Sequence, residues 1–216
     1  MKAALTFDHL VCAAPDVAAG ASLLGAGLGI VPTVGGAHQD QGTCNVLFSL
    51  GEGSYFELLG PDPAVKLQAP LALRAAALAG VEIWTFAVTT DNVDALTEKA
   101  RALGLQLRGP TAGSRKTPTG DVLHWKALFI DSPEFKGLVP FAIQWLTRPH
   151  PSQTSAQGPL LQSLVVIHPK ADALRSLYAA LGLDVPVHFG TRSAIVATLA
   201  HGERLLTLVG NAEGIF

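Results

Sequence analysis

Apolar residues recur at helical spacing in three stretches of the chain, and each stretch ends in a Leu-Gly step followed by another apolar residue. The three glycines are Gly29, Gly104 and Gly182, and the spacing between them is nearly constant. Glycine ends a helix with little strain because it readily adopts the left-handed conformation. The pattern therefore predicts three helices, each in one copy of a repeated module.

The first of these helices is predicted to begin at Pro15-Asp16 and to end at Gly29. Leu23, Leu24 and Leu28 form its predicted buried stripe.

Short apolar runs with β-branched or aromatic residues stand before and after each helix, and turn residues separate them. Loops such as Gly51-Glu52-Gly53 suit antiparallel hairpins, so the runs that follow a helix are predicted to be neighbouring strands. The predicted strands are 7–13, 44–50 and 55–59 in the first module, 83–89, 122–130 and 141–145 in the second, and 164–167, 194–199 and 205–209 in the third.

Polar and Pro-rich stretches at 60–68 and 147–157 are typical of linkers. The last module is shorter than the others, and its predicted role is structural: it covers an open sheet edge or joins a module of a neighbouring subunit. The predicted organisation is a domain at 1–146 (modules at about 4–62 and 80–146), a linker at 147–158 and a partial third module at 159–216.

Composition narrows the functional classes. The chain has 216 residues, of which 49% are hydrophobic and 15% charged, which predicts a soluble globular protein. Its net charge of −2 argues against a nucleic-acid or anionic-membrane partner. Asp8 and His9 interrupt the N-terminal apolar stretch before a signal-peptide core could form, and no apolar run reaches membrane-spanning length, which predicts a cytoplasmic location. The two cysteines, Cys12 and Cys44, are predicted to be thiols.

Several short motifs carry a family resemblance over about residues 5 to 146. They include Asp8-His9-Leu10-Val11, Gly35-Gly36-Ala37-His38, Gly42-Thr43-Cys44-Asn45, Tyr55-Phe56-Glu57-Leu58 and Pro140-Phe141-Ala142-Ile143-Gln144-Trp145. With the repeated module, they make the chain resemble the glyoxalase-like domain proteins of the vicinal oxygen chelate (glyoxalase/bleomycin resistance/extradiol dioxygenase) superfamily. The resemblance implies an α+β fold in which tandem strand-helix-three-strand modules form a curved mixed sheet, or cup.

The resemblance also implies metal-assisted chemistry on a small molecule with two vicinal oxygens. In such proteins the first strand of a module supplies a histidine and its last strand a glutamate, which are the places of His9 and Glu57 here. Both residues are therefore predicted to be catalytic and to bind a divalent metal, Zn(II), Ni(II), Mn(II) or Fe(II). His38, in a Gly-rich stretch expected to be a loop, is the predicted third ligand. The implied activity is that of a lyase, isomerase or dioxygenase.

The second module is predicted to contribute less to a metal site. Aligned on the helix-ending glycine, His9 corresponds to Trp84 or Thr85, and Glu57 corresponds to Gln144. None of these is a strong ligand, so two alternatives stay open. One is a non-catalytic protein that binds a small ligand, and the other is a metal-free enzyme in which Glu57 orients His9 as general base.

Four further residues are predicted to contact the substrate. Arg115, in a stretch expected to be a polar loop, offers a bidentate fork for a carboxylate or phosphate, so the predicted substrate is an anionic small molecule. Asn45, His124 and Gln144 are the other predicted substrate contacts. A homodimer is compatible with the sequence.

Overall fold

The computed structural model describes residues 5–51, 53–116 and 120–211. No helix in this part of the chain is long and apolar enough to cross a membrane. The elements in chain order are β1 (Thr6–Ala13), α1 (Val17–Leu28), β2 (Thr33–His38), β3 (Thr43–Ser49), β4 (Tyr55–Pro61), α2 (Pro70–Ala76), β5 (Glu82–Thr89), α3 (Val93–Ala102), β6 (Gln106–Lys116), β7 (Val122–Asp131), β8 (Phe141–Trp145), α4 (Pro151–Thr154), β9 (Leu160–His168), α5 (Ala171–Leu181), β10 (Val187–Phe189), β11 (Ala194–His201) and β12 (Arg204–Gly210).

Eight strands form one curved mixed sheet in the order β2-β3-β4-β1-β5-β8-β7-β6. The two modules meet at its centre, where β1 pairs antiparallel with β5. In each module the first strand pairs parallel with the last one, β1 with β4 and β5 with β8. The sheet curls until its outer strands approach each other, and Arg115 of β6 donates a hydrogen bond to the Gly35 carbonyl of β2 (2.6 Å). The predicted cup of tandem modules is therefore confirmed.

Helix α1 shows how local sequence sets these elements. The Asp16 side chain accepts a hydrogen bond from the Ala19 N–H at the start of the helix, and Gly29 ends it in the left-handed conformation (φ 72°). Leu24 and Leu28 are fully buried, but Leu23 is 62% exposed. The prediction that Leu23 is buried was wrong, because adjacent helical residues point about 100° apart and only one can face the sheet.

The C-terminal unit forms a second, four-stranded sheet in the order β10-β9-β11-β12. It begins with a strand and a helix as the other modules do, but its strand order differs, because β9 lies between β10 and β11. Its buried residues, such as Val166 and Leu199, share one core with Phe86 of the large sheet. Arg204 also donates to the Ala26 carbonyl near the end of α1 (2.9 Å).

This unit therefore packs on the helix-bearing side of the large sheet. The expectation that it covers an open sheet edge was wrong, since the outer strands β2 and β6 approach each other instead. That it joins a neighbouring subunit stays a prediction, as does the division of the chain into domains.

The stretch 147–158 was expected to be a linker, yet it is well packed. It contains the short helix α4, and the Ser49 N–H donates to the Ala156 carbonyl (2.8 Å). The Ala156 N–H in turn donates to Thr33 Oγ1 (2.7 Å). The side chain of His150, just before α4, is consequently buried.

Candidate active site

The concave side of the large sheet encloses a cavity of about 180 Å³ between the two modules. This is below the roughly 300–1,000 Å³ typical of pockets for drug-sized ligands, so the cavity suits a small molecule. Its walls differ in chemistry. The first module contributes mainly polar side chains, and the second contributes an aromatic wall. The polar residues include His9, His38, Gln41, Asn45 and Glu57. The aromatic wall, as the term is used below, is Trp125, Phe129, Phe141 and Trp145.

An irregularity in β1 brings two neighbouring side chains together. Phe7 pairs with Val88 and His9 pairs with Ala87, so Asp8 is an extra residue, as in a β-bulge. Neighbouring side chains of a regular strand point to opposite faces. Here, however, Asp8 Oδ1 lies 2.7 Å from His9 Nδ1, a hydrogen bond between two buried side chains.

Asp8 is held as a carboxylate by three donors. Besides His9, its Oδ2 accepts a hydrogen bond from Trp145 Nε1 (3.0 Å) and lies 3.3 Å from His150 Nε2. Burial on its own raises the pKa of Asp8, but the hydrogen bonds and charges of His150 and His9 outweigh it and lower the pKa to about 2. An ionised Asp8 can only accept, so His9 carries its proton on Nδ1.

The other ring nitrogen of His9 faces the cavity. His9 Nε2 lies 3.7 Å from Glu57 Oε2, and His38 Nε2 lies 3.9 Å from Glu57 Oε1. Both distances exceed the length of a hydrogen bond. Glu57 therefore does not orient His9 as one alternative had proposed, and Asp8 does so instead. Tyr55 stacks on the His9 ring with centroids 4.4 Å apart and limits its movement.

The side chain of Asn45 lies between Glu57 and Gly35. Its Nδ2 donates a short hydrogen bond to Glu57 Oε1. Its buried Oδ1 has no hydrogen-bond partner within the described residues and faces Gly35, where an added Cβ would come within 2.1 Å of it. Glycine at this position therefore leaves room for the amide in the orientation that reaches Glu57.

Two arginines add positive charge to the cavity. Arg115 lines it from β6, so the expectation that this residue lies in a loop was wrong. Arg108, which was not predicted, also lines it, and its guanidinium lies 4.6 Å from the centre of the Phe129 ring. A cavity with two guanidinium groups favours an anionic ligand.

Strand register shows which residues of the second module replace His9 and Glu57. His9 pairs with Tyr55 across β1 and β4, and Ala87 pairs in the same way with Phe141 across β5 and β8. Ala87 is thus the counterpart of His9. Two residues further along, Ile143 is the counterpart of Glu57. The predicted counterparts, Trp84 or Thr85 and Gln144, were wrong, because the modules differ in length: His9 lies 20 residues before Gly29, whereas Ala87 lies 17 residues before Gly104.

The donor types present suit a divalent metal, but their arrangement is not that of a formed metal site. His38 lies at the end of β2, and not in a loop as expected, and its Nε2 is no closer to Glu57 than that of His9. Within the described residues, no group of three or more His, Cys, Asp or Glu side chains is placed so that it could hold a metal ion. The assignment of a metal to His9, His38 and Glu57 stays a prediction.

Two predicted substrate contacts lie outside the cavity. His124 is exposed on β7, where the neighbouring Trp125 faces the cavity instead. Gln144 accepts from the Val93 N–H (3.1 Å) and donates to the Asp91 carbonyl (2.9 Å), so it supports the start of α3. Alternate residues of a strand face opposite sides of the sheet, and the sequence does not show which residues of β7 and β8 face the cavity.

Cys44 also has no sign of reactivity. Burial and the charge of Asp62 raise its pKa, which keeps the side chain a thiol.

Comparison with known proteins agrees with this architecture. The family model for the glyoxalase-like domain matches residues 7–182. The chain belongs to this family. The glyoxalase-like match extends beyond the first two modules and through helix α5 of the C-terminal unit. No curated protein sequence is significantly similar to the chain.

Several solved structures share the fold of this glyoxalase-like protein. A hypothetical protein from Staphylococcus aureus is 18% identical with a TM-score of 0.66, over 96% of this chain and 86% of that one. A variant of methylmalonyl-CoA epimerase from Streptomyces coelicolor is 19% identical (TM-score 0.51), over 67% of this chain and 100% of that one. A mutant of 4-hydroxymandelate synthase from Streptomyces coelicolor is 15% identical (TM-score 0.58), over 96% of this chain and 63% of that one. Identities this low show a shared fold alone.

Proposed function

We propose that this glyoxalase-like protein is an enzyme that moves a proton to and from a small anionic substrate bound in the cup. The observation that carries the proposal is the orientation of His9. Asp8 accepts the Nδ1 proton of His9, so in the neutral ring it is Nε2 that carries no proton, and this atom faces Glu57 and the cavity. A buried histidine held by a carboxylate in this way is suited to act as a general base.

The facing atoms of His9 and Glu57 can share a proton taken from a substrate. An imidazole nitrogen without a proton and a carboxylate oxygen are both acceptors, and they lie only 3.7 Å apart. A proton that His9 takes from the substrate gives an imidazolium, which Asp8 and Glu57 stabilise from its two sides. The same proton returns to the substrate from His9 or through Glu57. Proton transfer of this kind isomerises or epimerises a substrate without a change in its oxidation state.

The cavity walls indicate the substrate class. The guanidinium of Arg115 offers a fork for a carboxylate, and the aromatic wall offers flat apolar surface on the other side. A carbonyl group is a common substituent that makes an adjacent carbon-bound proton acidic enough for an enzymatic base to remove. We therefore propose a small 2-oxo carboxylate with an apolar substituent, whose two vicinal oxygens face Arg115 and whose C3 proton faces His9.

Exchange with deuterated solvent tests the reaction. A panel of 2-oxo carboxylates with alkyl or aryl substituents is incubated with the protein in deuterium oxide, and loss of the C3 proton signal is followed by NMR. We expect exchange above the spontaneous rate for at least one member. The His9→Gln variant should slow it by about 100-fold or more, in the range usual for loss of a general base.

His124→Gln is the matched control, because that histidine lies on the outer side of the cup. It should leave the exchange rate unchanged. Equal losses in both variants, or an equal rate in His9→Gln and the wild type, would contradict the role given to His9. Arg115→Gln should weaken substrate binding about tenfold, the change that loss of one charge-assisted contact brings. Arg101→Gln, on the exposed face of α3, should not weaken it.

A metal-dependent enzyme is the second candidate, and one observation favours it. The Nε2 atoms of both His9 and His38 lie within 3.9 Å of Glu57 oxygens, so three side chains with suitable donor atoms surround one region. An ion such as Zn(II), Ni(II), Mn(II) or Fe(II) would need these side chains to move closer to a common point. It would supply a Lewis acid for the oxygens of the substrate.

Elemental mass spectrometry on protein purified without an affinity tag or chelator separates the two candidates. One ion per chain in the wild type, and none in the double variant His9→Ala, Glu57→Ala, would favour the metal enzyme. Exchange activity that persists after chelation would favour the metal-free reaction. Thermal stabilisation by a ligand without any exchange or metal would instead indicate a binding protein.

A further inference from the structure

His150 contacts the candidate active site from far along the chain. It stands in the stretch expected to be a linker, yet its ring is buried between Tyr55 and Trp145, with centroids 5.5 and 5.3 Å away. Its Nε2 lies 3.3 Å from Asp8 Oδ2, while Oδ1 of the same carboxylate bonds His9. Asp8 thus lies between two histidines.

The short helix α4 fixes which nitrogen of His150 carries the proton. His150 is the N-cap residue of α4. Its Nδ1 accepts a hydrogen bond from the Ser152 N–H (3.3 Å) and lies 2.9 Å from Ser152 Oγ, whose hydroxyl can donate to the same nitrogen. A second bond, from the His150 N–H to Gln153 Oε1 (3.1 Å), completes a capping box. Because Nδ1 is an acceptor, the proton of the neutral ring is on Nε2 and points at Asp8.

We infer that His150 is a positioning residue for His9, which it serves through Asp8. Its Nε2–H holds Asp8 Oδ2, so that Oδ1 stays aligned with His9 Nδ1 and the lone pair of His9 Nε2 faces the cavity. Trp145 donates to the same Oδ2 and assists. The cap of α4 therefore sets the orientation of a group in β1, 142 positions away in sequence. This inference deepens the proposed function and rests on it.

Imidazole NMR tests the inference without any substrate. Long-range nitrogen-proton spectra of metal-free protein at about pH 8, where unperturbed histidines are neutral, identify the protonated nitrogen of each ring. We expect His150 to be protonated on Nε2 and His9 on Nδ1 in the wild type. A His150 ring protonated on Nδ1 would overturn the inference whatever the variants show, because that ring could not donate to Asp8.

His150→Phe keeps a ring between Tyr55 and Trp145 but removes the donor to Asp8. We expect the ratio of the two His9 tautomers to fall about tenfold toward the Nε2–H form, the change that loss of one charge-assisted hydrogen bond brings. His168→Phe is the matched control. That histidine is equally buried and its Nδ1 also accepts from a backbone N–H two residues later, that of Lys170 (3.0 Å).

An unchanged His9 spectrum in a folded His150→Phe variant would overturn the inference, and so would equal shifts in His150→Phe and His168→Phe. If the wild-type protein shows the expected tautomers of His9 and His150 but catalyses no proton exchange, the proposed function is contradicted and the effect of His150 on His9 is not. The reverse outcome, altered tautomers in His150→Phe with wild-type exchange, would show that the position of His150 does not serve catalysis and would also overturn it.

Discussion

The ionised state of Asp8 predicts a specific loss of stability in acid. The pKa of Asp8 is lowered from 3.8 to about 2 in the folded protein. A carboxyl group with a depressed pKa stabilises the fold at pH values above its unfolded pKa, and this contribution is lost as the pH falls through the folded pKa. The relevant window therefore runs from about pH 5 down to about pH 2.

The size of the effect follows from the shift. A shift of nearly two units, at about 1.4 kcal/mol per unit, gives on the order of 2 kcal/mol of unfolding free energy. Asp8 is almost fully buried, so solvent screening does not reduce this value. The amide in Asp8→Asn cannot titrate, and its NH2 group would face the donors of Trp145 and His150. The variant is therefore less stable near neutral pH, by several kcal/mol at most.

Urea denaturation of wild type and Asp8→Asn at a series of pH values provides the measurement. The difference between their unfolding free energies should shrink by on the order of 2 kcal/mol between about pH 6 and pH 2. Asp121→Asn, a change in an exposed carboxylate, is the control and should give a far smaller change. If the difference in unfolding free energy between wild type and Asp8→Asn stays constant across this pH window, the reasoning is refuted.

Three further predictions concern packing. Gly35→Ala places a methyl group 2.1 Å from a buried amide oxygen and should lower the unfolding free energy by about 1–3 kcal/mol. Gly80→Ala, with nothing within 4 Å of the added Cβ, is the control and should leave thermal denaturation nearly unchanged. Leu24→Ala should cost about 2–5 kcal/mol because its side chain is fully buried, and Leu23→Ala should cost little; equal costs by urea denaturation would contradict the assignment of the buried face. Fragment 1–146 should aggregate, since it exposes the core shared with the second sheet, and a soluble fragment with a cooperative unfolding transition would count against this.

Local sequence was sufficient to predict most of the repeated elements. The second module illustrates this, because the apolar run that became β5 and the helix stop at Gly104 depend only on neighbouring residues. The edge strands β2 and β6 were not predicted, since their glycines, prolines and polar residues are typical of loops. They are strands because the curled sheet supplies backbone partners that local sequence does not reveal.

For the site, the sequence by itself determined that His9 and Glu57 occupy the first and last strands of one module, and the fold brings their side chains within 3.7 Å. Only the tertiary structure decided what surrounds them. The bulge at Asp8 overrides strand alternation, and His150 reaches that carboxylate from a separate part of the chain. Such contacts depend on strand register and on how distant segments pack, and a regular alternating pattern along the sequence contains neither.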